Sequence, residues 1–307
     1  MILLMHLVLA ALTFVLGTVV GSFLNVCIYR IPWQKSVIWP SSRCPRCLEP
    51  IESRDNIPVL SWIALGKKCR HCALPIAARY PLVETLVGAL FLGVYLVDVA
   101  HSASLLYAPP LSAFATMAYH LALIALLVVA SFIDLDLWQI PDPVTYTGMI
   151  LGLLGGTIAP GIRPDPARAS SWLGGLGVGL LGLVVGALLV WLVRFLGTHV
   201  FRREAMGLGD VTLLGMIGAF MGWQAAVLTF FLAPFLGLAP ALAKVIVNIG
   251  KWLTGRKLKS SDREIPYGPY LSLAATLLVL GWPWIWNGVS KRYFEEYAEV
   301  FWFFVGS

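Results

Sequence analysis

Charge is scarce in this chain. Asp, Glu, Lys and Arg together make up 12% of the residues, against 59% hydrophobic, and the mean hydropathy is +0.81. A water-soluble domain carries about 25% charged residues, so a soluble core is excluded and a multi-span membrane protein remains. Cysteine is scarce as well: there are five, and four fall between positions 44 and 72. That excludes a disulfide framework spread along the chain. The first apolar run has no basic n-region and no A-x-A site, and it continues into Gly21-Ser-Phe-Leu-Asn-Val-Cys-Ile-Tyr-Arg30. It reads as a retained first span, not a cleaved signal peptide. A glycine-rich fingerprint of the dinucleotide-binding type is also missing.

What is present is a series of apolar runs, at about 3–28, 80–100, 112–133, 143–160, 172–197, 210–221, 225–249 and 267–287. The fold expected is an all-α polytopic membrane protein with about eight transmembrane helices. Seven is the alternative, because the sixth run is short and only Gly222-Trp223-Gln224 parts it from the seventh. The formal net charge is +6, and its placement matters more than its size. Nine Lys/Arg lie between Tyr29 and Arg79; Arg202 and Arg203 lie in the 198–209 connection. Lys251, Arg256, Lys257, Lys259 and Arg263 lie in the 250–266 connection. The 101–111 connection has no charge, and 161–171 has Arg163 and Arg168 against Asp165. With eight spans the three basic connections share one side, which the positive-inside rule makes cytoplasmic, and both chain ends face outward. The basic excess is orientation, and no nucleic-acid partner is expected.

The sizeable polar segment, Tyr29–Tyr80, contains Cys44-Pro-Arg-Cys47 and Cys69-Arg-His-Cys72, with 21 residues between the pairs. Two C-x2-C knuckles supply four thiolates that can close on one tetrahedral Zn2+, and a small segment would gain most of its order from that metal. Two disulfides or a redox motif are the alternatives; a cytoplasmic placement disfavours disulfides. His71 reads as a surface residue and Cys27 as a small packing residue.

Three carboxylates, Asp134, Asp136 and Asp142, follow the run Ser112–Ile133 within nine residues. Asp142 before Pro143 reads as an N-cap with proline at the first helical position. Asp134 is continuous with the apolar side, and an acid there is costly unless it has a task. A second acid, Asp210 in Gly207-Leu-Gly-Asp210, opens the sixth run on the same side in the eight-span arrangement. Two such carboxylates can meet, one activating water and the other protonating a leaving amine. Asp136 is about 200° from Asp134 around a helix, so both cannot face one partner, and Asp136 stays in reserve. Glu84 is read in the first turn of the second helix, favouring its dipole, or as functional. Asp98 and His101 are expected at the interface and His120 as a buried hydrogen-bonding residue. Gly175/Gly179 and Gly182/Gly186 form G-x3-G pairs for close helix packing, and Arg194 and Lys244 are expected to snorkel.

The motifs G-S-F-L-N-V-C-I-Y-R-I-P (21–32), the four cysteines, N-I-P-V-L-S-W (56–62), R-Y-P-L-V-E (79–84), I-D-L-D-L-W-Q-I-P-D (133–142) and G-L-G-D-V-T-L-L-G-M-I-G-A (207–219) together resemble the type IV prepilin peptidases, membrane aspartic proteases of the G-x-G-D class. The resemblance covers nearly the whole chain. It implies cleavage of short basic leaders from type IV prepilins or pseudopilins, and N-methylation of the new amine with S-adenosylmethionine. It also implies Asp134 and Asp210 as the catalytic pair and a bacterial inner-membrane location. Thr212 stands where the family usually has lysine. The expected divisions are 1–28 (first span), 29–79 (zinc-binding, methyltransferase-associated segment, with Cys44, Cys47, Cys69 and Cys72), 80–289 (peptidase helices) and 290–307 (tail). Basic leader residues would be held by anionic lipid and by nearby acids such as Glu204. Two other readings compete: a transporter with an acidic pair for proton or cation coupling, and a non-catalytic assembly factor that docks through its zinc knuckle.

Overall fold

A computed structural model describes residues 1–101, 108–163, 171–202, 206–254 and 266–285. Arg168, Asp165, Arg203, Glu204, the basic cluster 256–263 and the 290–307 tail lie outside the described residues.

Each apolar run forms a helix, and no strand occurs among the described residues. The long helices are α1 (Ile2–Arg30), α3 (Arg79–Tyr95, followed by a π-helical turn over Leu96–His101), α4 (Leu111–Leu137) and α5 (Asp142–Ile158). Then come α6 (Trp172–Phe201), α7 (Leu208–Met221), α8 (Trp223–Leu253) and α9 (Gly268–Ile285); a short α2 (Leu60–Ala64) lies in the polar segment. Six of these, α1, α3, α4, α6, α8 and α9, are long and apolar enough to cross a membrane. The expected count of eight is not met on that measure. Prolines bracket α5 at 141 and 160 and hold it to 17 residues, while glycines bracket α7 at 207 and 222 and hold it to 14.

The short α7 is the centre of the bundle. It packs against α5, α6, α8 and α9, and Leu213 through Met221 are buried on every side. A helix apolar all round has no face to offer water. Its approach to α6 is set by the expected glycine stripe. Added Cβ atoms at Gly182 and Gly218 would each strike the other's carbonyl, and one at Gly186 would strike that of Leu214. Gly175 and Gly179 of the same stripe face Gly156 and Arg163 instead. Exposed leucines, valines and aromatics cover the outer faces of α1, α6 and α8, as expected of surfaces that meet lipid.

The start of α3 meets the end of α4 where Arg79 pairs with Asp136 at 2.7 Å. The start of α9 meets the same end through Gly268, and Gly209 at the start of α7 abuts Ile140. Arg194 near the end of α6 donates to the Met206 carbonyl at 2.6 Å, and Lys244 of α8 lies over the Trp138 ring at 5.8 Å. The helix ends that flank all three basic connections therefore gather at one end of the bundle. Arg194 and Lys244 make these contacts there instead of only reaching for water.

At the opposite end, His120 is buried and bonded to Asp98 at 2.7 Å, as its sequence setting suggested. The Asp98 side chain is buried in this pair, 7% exposed. His6 bonds Tyr95 nearby at 2.8 Å, and the His101 ring lies tilted against Trp284 with centroids 5.1 Å apart. Arg163 is buried too, and its guanidinium donates to the carbonyls of Gly152, Gly156, Gly175 and Ala219. It ties together backbone carbonyls of three helices, α5, α6 and α7.

Candidate active site and metal centre

Helix α4 runs four residues past the apolar run, through Leu137, before Trp138 closes it in the left-handed conformation with φ 60°. Asp134 and Asp136 are therefore both helical, and they diverge as the 200° offset requires. Asp134 is 5% exposed. Asp136 turns outward to the Arg79 guanidinium and leaves the reserve role. Asp142 is the first residue of α5, and Pro141 is the N-cap; the cap lies one residue earlier than expected, within the usual uncertainty of helix ends.

Asp210 is the third residue of α7. Its carboxylate folds back to accept the Gly207 N–H at 3.2 Å, satisfying one of the orphan donors of the helix start. Asp134 accepts the Gly268 N–H at 3.1 Å. The two carboxylates, from α4 and α7, lie close enough to act on each other electrostatically, and Tyr267 is within the same reach of Asp210. Glycine makes this assembly possible at two points. A Cβ on Gly268 would stand 2.7 Å from Asp134 Oδ2 and 2.8 Å from Ile140 Cδ1; one on Gly209 would stand 2.8 Å from Ile140 Cβ. Sequence reasoning missed Tyr267 and Gly268. Their one local signal is the turn Pro266-Tyr-Gly-Pro269, which says nothing about a partner in α4. Thr212 turns its hydroxyl to the Gly209 carbonyl at 3.0 Å, so it braces the start of α7 and adds no charge beside Asp210.

The four cysteines come together as expected. All are unpaired thiols, and their sulfur atoms lie within 4.8 Å of one another. Cys44 and Cys72 sulfurs are 3.9 Å apart, and those of Cys47 and Cys69 are 4.0 Å apart. Zn–S bonds of about 2.3 Å in a tetrahedron require S···S separations of about 3.8 Å, so the cluster fits one metal ion. The cluster contains no histidine, and His71 is exposed.

The two knuckles are copies of one another, a repeat the sequence reading overlooked. In the first, Cys44 N–H donates to Glu49, Leu48 N–H to Cys44, and Arg43 bridges Pro50; in the second, Cys69 donates to Leu74, Ala73 to Cys69, and Lys68 bridges Pro75. Leu48 and Ala73 hold the same left-handed conformation, at φ 60° and 55°. Knuckle backbone N–H groups favour the thiolate form. The Cys47 amide brings Cys44 down to about 7, and the amides of Cys72 and His71 lower Cys69. Arg70 bonds Asp55 at 2.6 and 2.7 Å and lowers its carboxyl, tying the second knuckle to the chain between the two.

Glu84 joins this segment to the membrane helices. Helix α3 begins at Arg79, so Glu84 sits in its second turn and not the first, out of reach of the orphan N–H groups. It is 8% exposed and accepts the Val59 N–H at 2.7 Å.

Residues 15–97 match the Bacterial Peptidase A24 N-terminal domain, and residues 121–242 match the Type IV leader peptidase family. Three similar proteins bear the name prepilin leader peptidase/N-methyltransferase. The Myxococcus xanthus protein is 40% identical over 83% of this chain and 68% of its own length. The Aeromonas hydrophila protein is 32% identical over 88% and 90% of the two chains, and that of Pseudomonas putida 32% over 87% and 88%. No solved structure matches. A transporter finds no support in these relatives.

Proposed function

Because this chain belongs to the type IV leader peptidase family, we propose that it cleaves the leader from type IV prepilins or pseudopilins with Asp134 and Asp210 and then N-methylates the new amine. The observation that carries the peptidase half is the convergence of two buried carboxylates from α4 and α7, each held by one glycine N–H. In the ionised state one carboxylate takes a proton from water as the water oxygen adds to the scissile carbonyl carbon. The other carboxyl gives its proton to the amide nitrogen, the C–N bond breaks, and the pair is ready again after one proton passes between them. Each fixed N–H occupies one oxygen of its acid and orients the other toward the substrate.

The metal is zinc and structural: four thiolates fill a tetrahedron and leave no open position for water. The 29–79 segment is the methylation module, 80–289 the peptidase, and S-adenosylmethionine the methyl source. Orientation follows from charge: the bundle end with the aspartates and basic connections faces the bacterial cytoplasm, and the N-terminus lies outside the inner membrane. Cysteines introduced at Gln34 and Ala108 test it in sealed cells. The first should be shielded from an impermeant reagent and the second should react; the reverse would put the aspartates on the wrong side for a leader.

The decisive experiment incubates purified protein with a synthetic prepilin leader peptide, followed by N-terminal sequencing of the product. Cleavage at one junction is expected, with Asp134→Asn and Asp210→Asn each losing it by a factor of about 10³ or more, as expected when one half of a coupled acid–base pair is removed. Full activity in either variant would remove that residue from the chemistry.

A further inference from the structure

A cavity of about 330 Å³ lies where the cysteine segment meets α1 and α3. That is within the size range of small-molecule sites, which combine an apolar lining with a few convergent polar groups. Its wall includes Asn25 and Tyr29 of α1, Trp62 of α2, and Tyr80 and Glu84 of α3, with Cys44 and Cys69 of the metal cluster behind. The peptidase chemistry described above does not use it.

Glu84 is the unusual member. It is a buried carboxylate that makes no ion pair with another described residue. Its hydrogen bonds come from the Val59 N–H and the Ser22 hydroxyl, and a carboxylate has about four acceptor directions. A buried carboxylate with free acceptor directions calls for a donor or a cation. The backbone beside it is strained as well. Val59, β-branched, holds φ 61° and ψ −50°, in a tight turn closed by the Leu60 N–H on the Pro58 carbonyl at 2.6 Å. Such a conformation persists where its surroundings hold it, and the bond to Glu84 does so here.

We propose that this cavity is the methyl-donor site, taking a sulfonium nucleoside, with Glu84 as the carboxylate facing the donor's positive charge and the Tyr29 and Tyr80 rings in the same wall. This rests on the N-methylation reading above. Aromatic faces and a carboxylate are the two groups that hold a soft cation away from water. The donor supplies one methyl group: the amine lone pair forms the N–C bond as the C–S bond breaks, sulfur keeps that pair, and the amine's proton leaves to water. The site also lies at the correct end of the molecule. Tyr80 follows Arg79, whose pair with Asp136 joins α3 to α4 two residues beyond Asp134. The amine released at the aspartates therefore has no membrane to cross.

The test compares binding of S-adenosylmethionine, a cation at sulfur, with S-adenosylhomocysteine, its neutral thioether, by calorimetry on the full chain. Glu84→Gln keeps an acceptor for Val59 and Ser22 but no charge. It should weaken the sulfonium about tenfold or more, the scale of a charge-assisted contact, change the thioether little, and leave leader cleavage and metal content as in the wild type. Equal loss for both ligands, or none, overturns the assignment. Photolabelling of the unsubstituted protein with an azido-adenosyl donor gives a second arm that needs no variant. Label on the α1, α2 or α3 peptides that line the cavity supports the site, and label elsewhere overturns it. If the wild type methylates cleaved peptide while Glu84→Gln binds both ligands normally, the cavity fails and the methylation reading stands. If the wild type binds neither ligand and methylates nothing, the methylation reading falls and the site with it.

Discussion

One oxygen of Asp134 stands 2.7 Å from where an added carbon on Gly268 would have to go, and the same glycine donates its N–H to that oxygen. Gly268→Ala should therefore move the acid without unfolding the bundle. Cleavage of the leader peptide should drop about 10²-fold, the order expected when a catalytic group is displaced by an ångström, while the helical signal in circular dichroism stays unchanged. Asp136→Asn breaks an exposed pair with Arg79, worth about 0–1 kcal/mol, and should keep most of its activity in the same assay. The two acids were legible in the sequence because each adjoins an apolar run, Asp134 at the end of one and Asp210 at the start of another. Gly268 and Tyr267 were not, because their roles arise from contacts with helices distant in sequence, Asp134 of α4 and Asp210 of α7. Glu84 was misplaced by one turn: α3 opens at Arg79, as the motif R-Y-P-L-V-E suggests, and its sixth residue already lies past the first turn.

Among the elements, α6 and α7 approach closely. Gly182 and Gly218 approach each other's carbonyls so nearly that neither tolerates a side chain. Gly218→Val should force the helices apart and cost about 1–3 kcal/mol or more, as overpacking does. The expected outcome is a lower melting temperature in detergent and, because α7 carries Asp210, a loss of cleavage in parallel. The glycine stripe on α6 was plain in the sequence, and its partner helices were not. Arg163 shows the limit more sharply. In the sequence it is a charge in a short connection; in the fold its guanidinium closes carbonyls of α5, α6 and α7. No local pattern announces a residue whose partners are backbone atoms on three helices. The knuckle repeat was visible letter by letter, yet it is the matching left-handed residues after Cys47 and Cys72 that reveal it as structure.

At the scale of the whole molecule, the long helices, α1 included, hold a continuous apolar core to which the described residues of the cysteine segment add little. Removal of the metal by a strong chelator should unfold the 29–79 segment while leaving the bundle intact. Limited proteolysis should then cut between α1 and α3. Loss of bound donor should precede loss of leader cleavage, because the cavity wall includes Cys44 and Cys69 and the aspartates stand on other helices.

The shortness of α7 has a mechanical consequence. Fourteen residues rise about 21 Å, against a hydrocarbon thickness of about 30 Å, and its neighbours α5, α6, α8 and α9 have 17, 30, 31 and 18 residues. Asp210 at its start stands at a height set by the helix ends around it, where Gly209 abuts Ile140. A substrate helix in the same bilayer presents its scissile bond at a height set by lipid, not by this protein. Mismatch between the two heights costs fractions of a kcal/mol per ångström. Cleavage of a membrane-inserted substrate in nanodiscs should therefore fall as acyl chains lengthen, while cleavage of a soluble leader peptide stays level. On these terms the enzyme gauges the bilayer in which its substrate sits.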